Sequence, residues 1–149
     1  MTRIVRRIEV PTPPDDTFAY VADFSTTAEW DPGIDRARCL DEGPIALGSR
    51  FEVISNFGGR RLPITYTITA YEPPERLVLV GEGTTFRGID EIRFSPAGGG
   101  TRIDYVADLR LKGIARALEP LMRSRFEKVG DDGMDGLRRT LTSRGARPA

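Results

Sequence analysis

The chain has no histidine. That absence removes Ser-His-Asp and Cys-His nucleophilic catalysis, imidazole ligation of metals and histidine proton shuttling. Any acid–base step has to run through Asp, Glu, Tyr, Lys, Arg or water. Cysteine is nearly as scarce. Cys39 stands alone, so no internal disulfide or cysteine zinc cluster can form, and it reads as a small packed side chain. An excess of either charge is also missing: Lys+Arg and Asp+Glu both total 22, where a nucleic-acid domain would carry a basic excess or stripe. Lysine is confined to Lys112 and Lys128. No apolar run approaches the ~20 residues of a membrane span. The opening segment, Met1 to Val10, has arginines but no apolar stretch of signal-peptide length. The expectations are a cytoplasmic protein with no stable membrane insertion, no metal, no cofactor and no nucleic-acid partner, existing as a monomer or homodimer.

What is present is an ordered series of elements within one expected domain, 1–149, whose polar tail Ser143 to Ala149 is expected to fray. Ile4, Ile8 and Val10 share one parity, which predicts a strand with one wet face. Pro13-Pro14-Asp15-Asp16 signals a helix start, with Phe18, Val21 and Ala22 as its apolar stripe. Ser25 or Thr26 is placed to cap a second short turn carrying Trp30, which Pro32 ends.

After Gly33 the hydrophobic period changes to two. Ile34 to Asp41 is weakly patterned. Phe51, Val53, Ser55 and Phe57 alternate, as do Leu62, Ile64, Tyr66, Ile68 and Ala70. Leu77 to Val80 is apolar throughout, so its phase cannot be read. Phe86, Gly88, Asp90, Ile92 and Phe94 share a face, and so do Ile103, Tyr105, Ala107, Leu109 and Leu111. Such alternation marks an antiparallel sheet with one dry face. A last helix, opened by Pro120 after a short turn at Ile114 to Leu118, carries the stripe Met122, Phe126, Val129, Gly133, Leu137 and Leu141. The dry face and this stripe are expected to pack together.

The opening strand, the Pro-Pro-led helix, Trp30-Asp31-Pro32, Gly48 before a strand, Tyr71-Glu72-Pro73-Pro74, Gly100-Thr101 and the terminal helix form a series. Across roughly Ile4 to Leu141 it resembles the START-like (SRPBCC) superfamily, in particular its polyketide cyclase/dehydrase and lipid-transport branch. The resemblance implies an α+β helix-grip fold: a seven-stranded antiparallel sheet wrapped around a long C-terminal helix, with two short helices after the first strand. It also implies binding of lipids, sterols or polyketides, and it carries no universal catalytic residue.

The polar side chains expected on the dry face are Ser55, Tyr66, Asp90 and Tyr105. A carboxylate among Phe86, Ile92 and Phe94 is desolvated, which raises its pKa. Asp90 is therefore the candidate general acid/base, with Tyr66 or Tyr105 holding a substrate carbonyl. The alternative is that Asp90 pairs with an arginine. Glu82 is a second candidate acid if its strand is shifted in phase. The expected ligand-binding set is Trp30, Phe51, Val53, Phe57, Tyr66, Phe86, Asp90, Tyr105, Met122, Phe126 and Gly133. Trp30 also fits a plain core role. Gly130, Gly133 and Gly136 recur at every third position of the last helix, each costing ~1 kcal/mol against Ala. They mark either close backbone approach or, at Gly133, room for a ligand. Asp131, Asp132 and Asp135 lack calcium-loop spacing and read as a solvated face. Three functions remain open: a binder of a hydrophobic small molecule in an internal cavity, a cyclase or dehydratase using the carboxylate and tyrosines, and a protein-interaction module with a filled cavity.

Overall fold

The computed structural model describes residues 1–145. Strand β1 (Thr2–Val10) leads into helix α1 (Pro14–Ala22), a 3-10 turn (Phe24–Thr26) and helix α2 (Thr27–Trp30). Six strands follow: β2 (Ile34–Cys39), β3 (Arg50–Phe57), β4 (Arg60–Glu72), β5 (Arg76–Glu82), β6 (Phe86–Ala97) and β7 (Gly100–Leu111). A second 3-10 turn (Gly113–Leu118) precedes helix α3 (Glu119–Gly145). The strands form one antiparallel seven-stranded sheet in the order β1-β7-β6-β5-β4-β3-β2. This is the α+β helix-grip architecture that the resemblance implies. Ser143 and Arg144, placed in a frayed tail by the sequence, continue α3, and residues 146–149 lie outside the described residues.

Pro14 opens α1, with Asp15 and Asp16 in its first turn, where the positive end of the helix dipole favours carboxylates. Asp23 caps the 3-10 turn, its Oδ1 accepting from the Ser25 backbone N–H at 3.1 Å. Thr26 occupies the N-cap position of α2, the turn that carries Trp30, without a side-chain hydrogen bond to its backbone. Between β3 and β4, Gly58 and Gly59 take φ of +60° and +83°, the paired left-handed conformation that suits a tight hairpin.

The alternation on β1, β6 and β7 matches the burial, with Ile4, Asp90, Ile92, Phe94, Ile103 and Ala107 all buried. On β4 it holds only to Ile68. A bulge between Ile68 and Ala70 resets the register, so Ala70 pairs with Val78 and Tyr71 with the buried Leu77. One extra residue reverses every later side chain, so Tyr71, and not Ala70, joins the core. Strand β5 resolves with Leu77, Leu79 and Gly81 inward. Glu82 therefore faces out, bound by Lys112 at 2.9 Å and Arg87 at 3.1 Å, which removes it as a candidate acid.

The inner face divides into two halves. Helices α1 and α2 cover one half, where Phe18 meets Phe94 and Tyr71 edge-on at centroid distances of 5.1 and 5.4 Å. Phe51, Leu77, Leu79, Ile92, Ile103, Leu137 and Leu141 fill in around them. Fully burying each such side chain contributes ~1.5–3 kcal/mol. The other half is roofed by α3 alone, and there the packing is open.

Candidate functional site

The open half is a cavity of about 150 Å³ between sheet and α3, with room for on the order of ten water-sized groups. Its walls are apolar: Ile4 from β1, Phe57 from β3, Leu62 and Ile64 from β4, Phe86 from β6, and Ala107, Leu109 and Leu111 from β7. Phe126, Val129, Gly130, Gly133 and Met134 of α3 close the top. Phe126 stacks on Phe57 at 5.4 Å, joining the helix to the β3–β4 hairpin.

Two inward glycines shape the floor. Gly81 and Gly88 pair directly across β5 and β6. A Cβ at Gly81 would come within 2.6 Å of the Tyr66 ring, and one at Gly88 within 2.9 Å of the Phe86 ring. The missing side chains leave the space in which both aromatic rings lie.

Where the cavity meets the filled core, its polar groups converge. Tyr66, Asp90, Tyr105 and Asp31 line this end, from β4, β6, β7 and the end of α2. Asp90 is 4% exposed, and among the described residues no arginine or lysine pairs with it. Burial pushes its carboxyl up to about 7; the Tyr105 hydroxyl alongside pulls the other way, while Asp31 and Asp108 add repulsion. Asp31 is raised to about 6, again chiefly by burial, against the Gly33 N–H that donates to its Oδ1 at 2.9 Å. Asp132 on α3 adds to the rise. Burial also lifts the Tyr66 and Tyr105 phenols well above their ordinary value, with Asp90 and Asp31 reinforcing both. The two phenols therefore hold their protons at neutral pH, Asp90 is about half protonated there, and Asp31 takes its proton up only below about pH 6. The Trp30 Nε1–H is buried beside this end with no hydrogen-bond partner among the described residues.

Eight residues of the expected ligand-binding set fall on the wall: Trp30, Phe57, Tyr66, Phe86, Asp90, Tyr105, Phe126 and Gly133. Phe51, Val53 and Met122 do not. The cavity begins at Ser55 on β3. Phe51 lies on the filled side with Phe24 over it at 6.2 Å, and Val53 is buried one step short of the opening. Met122 packs outside the wall, against the cluster of Ile4, Ala107 and Phe126. Asp31 is the residue that sequence reasoning missed, because between Trp30 and Pro32 it reads only as a helix end. The signal was on α3. A Cβ at Gly133 would lie 3.5 Å from Asp31 Oδ2, and one at Gly136 would overlap the Trp30 carbonyl oxygen. Gly136 thus marks backbone approach, to the α2 turn and not to the sheet. Gly130 faces Ile4, and Gly133 both faces Asp31 and lines the cavity. The acidic face of α3 is solvated and ion-paired, with Asp131 to Arg6, Asp132 to Lys128 and Asp135 to Arg138.

A seven-stranded sheet gripping one long helix over an apolar cavity defines a START-like, helix-grip domain. The chain belongs to the polyketide cyclase/dehydrase and lipid-transport family, which it matches over residues 1–142. No curated protein matches the chain. Solved structures share its fold at low identity. A Thermus thermophilus protein superposes with a TM-score of 0.81 at 14% identity, covering 95% of this chain and 98% of that one. A START superfamily protein from Mycobacterium smegmatis gives 0.73 at 15%, covering 97% of each. The Zhui aromatase/cyclase of Streptomyces sp. R1128 gives 0.75 at 14%, covering 97% and 93%. No described helix is long and apolar enough to cross a membrane.

Proposed function

We propose that this protein binds a small hydrophobic molecule in the cavity between its sheet and α3, apolar body against the aliphatic and aromatic walls, polar end toward Asp31, Tyr66, Asp90 and Tyr105. The observation that carries this reading is the arrangement of the site: apolar walls with a few polar groups gathered at one end, as ligand-orienting pockets are built. The family's description as polyketide cyclase/dehydrase and lipid transport supports the same class of ligand.

The test is native mass spectrometry of the purified protein, followed by denaturing extraction. A discrete copurified apolar molecule is expected, and it should be lost in Gly133→Leu, whose side chain projects from α3 toward the cavity. A clean apo mass, together with no thermal shift across a panel of apolar ligands, would move the fold to the protein-interaction reading.

One observation favours chemistry on the bound molecule: Asp90, raised to about 7, sits beside the Tyr105 phenol. A carboxyl held near neutral pH can give and take a proton in a cyclisation or dehydration, with a tyrosine holding the carbonyl. Turnover would follow a carboxyl limb near that value. Tyr105→Phe would lower turnover with folding intact, and unchanged turnover would remove Tyr105 from the chemistry.

A further inference from the structure

The chain has 22 Lys and Arg residues, yet among the described residues none lines the cavity, and the only acids that do are Asp31 and Asp90. Many of the arginines are engaged elsewhere, in surface pairs such as Arg7–Asp104, Arg50–Asp41 and Arg76–Glu91. Asp90 is held in a nearly solvent-free position with no cation beside it among the described residues. A lone buried carboxylate is costly, and breaking even with an apolar replacement requires an opposite charge or several donors. The titratable groups that line the cavity with the two acids are the Tyr66 and Tyr105 phenols on β4 and β7. The Asp108 and Asp132 charges act on them from outside the cavity, where they pair with Arg3 and Lys128. No cation lines the cavity among the described residues. Once the two acids are ionised, a carboxylate or phosphate ligand entering here would lose its hydration and meet like charge, offset only by neutral donors such as the phenols and the Trp30 Nε1–H. An ammonium group would meet two carboxyl groups, with the rings of Tyr66, Tyr105 and Trp30 also on the wall.

Resting on the cavity being a binding site, we propose that it selects an apolar ligand ending in a protonated amine, the ammonium held by Asp31 and Asp90, and rejects carboxylates and phosphates of the same apolar body. The amine supplies the counter-charge that the protein withholds. Because Asp31 holds its proton below about pH 6 and Asp90 below about pH 7 when the site is empty, binding an ammonium in that range ionises them and releases protons. Affinity for an amine therefore rises with pH from about 6 to about 8, as the carboxyl groups become charged before binding.

The experiment is isothermal titration with three probes of matched shape: phenethylamine, phenethyl alcohol and phenylacetate. Each is of a size with the space available. At about pH 8 the amine should bind roughly tenfold or more tightly than the alcohol, the range expected for a charge-assisted contact, and phenylacetate should give no binding heat. Asp90→Asn and Asp31→Asn should narrow the ratio between amine and alcohol toward unity. If either variant fails to fold, the wild-type ranking and its pH dependence still decide the matter. Equal affinity for all three probes, a preference for the acid, or a preference for the alcohol would overturn the charge selection and leave the cavity as a binding site. Absence of binding by all three would overturn the amine proposal; a copurified apolar molecule in native spectra would then still uphold the cavity itself.

Discussion

The glycines of α3 allow a prediction in which substitutions three residues apart have opposite signs. Replacing glycine by alanine inside a helix gains ~1 kcal/mol of intrinsic propensity, so the outcome depends on what the new methyl meets. At Gly133 it would lie 3.5 Å from Asp31 Oδ2, an ordinary contact. Gly133→Ala should therefore stabilise the fold by about 0.5–1 kcal/mol. At Gly130 it would come within 2.9 Å of Ile4 Cγ2, a side-chain methyl that has to give way. The gain and the strain are then about equal, and the net change should be near zero. At Gly136 the obstacle is the Trp30 carbonyl, with Pro32 Cδ behind it at 3.6 Å. Backbone closed off by a proline cannot rotate aside, and overpacking strain of ~3 kcal/mol outweighs the propensity gain. Gly136→Ala should thus lose about 2 kcal/mol, or roughly 4–8 °C in Tm for a domain of this size. Urea unfolding of the three variants, with m-values checked for constancy, measures the series directly. A Gly136→Ala protein as stable as the parent would refute the claim that α3 and the α2 turn meet backbone to backbone.

Two further predictions concern the cavity wall and its acids. In the folded chain Asp31 and Asp90 are raised to about 6 and about 7, so it binds more protons than the unfolded chain between about pH 4 and about pH 7. Their contribution is full below the unfolded value and is lost as pH rises through the folded values. Stability should therefore fall between about pH 4 and about pH 7 and level off above, by on the order of a few kcal/mol, and Asp90→Asn should flatten the fall. Denaturation midpoints that stay level or rise across that range in the parent protein would sink the argument. Phe126→Ala removes the ring stacked on Phe57 and should cost about 3 kcal/mol; Phe126→Leu should recover most of it in a thermal melt.

The sheet was legible wherever one face is wet. On β7, Arg102, Asp104, Asp108 and Arg110 separate the inward residues, and on β6 Arg87, Glu91 and Arg93 do the same. The parity fails where chemistry carries no contrast or where the backbone adds a residue. Strand β5 is apolar on both faces across Leu77–Val80, and the bulge after Ile68 has no marker residue in a run of Thr, Ala and Tyr. The α3 stripe read from the sequence is one step off at its centre. Val129 is 39% exposed at the rim, whereas Met134 and Gly136 are buried. Asp90, Tyr66 and Tyr105 could be brought together because strand period fixes their side. Asp31 could not, since its place depends on how a short turn meets a helix about a hundred residues later in the chain.

The Trp30 carbonyl lying on Gly136 also divides the freedom of α3. At that end the helix and the turn bearing Asp31 move as one piece, with Leu137 and Leu141 sunk in the core. From Glu119 to Arg125 no residue is fully buried, and the preceding turn leaves Ile114 almost wholly in solvent. Opening free energies are lowest where few apolar contacts must break. The first turns of α3 are therefore its less anchored end, tied down by Phe126 on Phe57 and by Glu119 accepting from the Leu111 N–H at 2.9 Å. The roof over the apolar end of the cavity should open at lower cost than the end that carries the carboxyl and phenol groups.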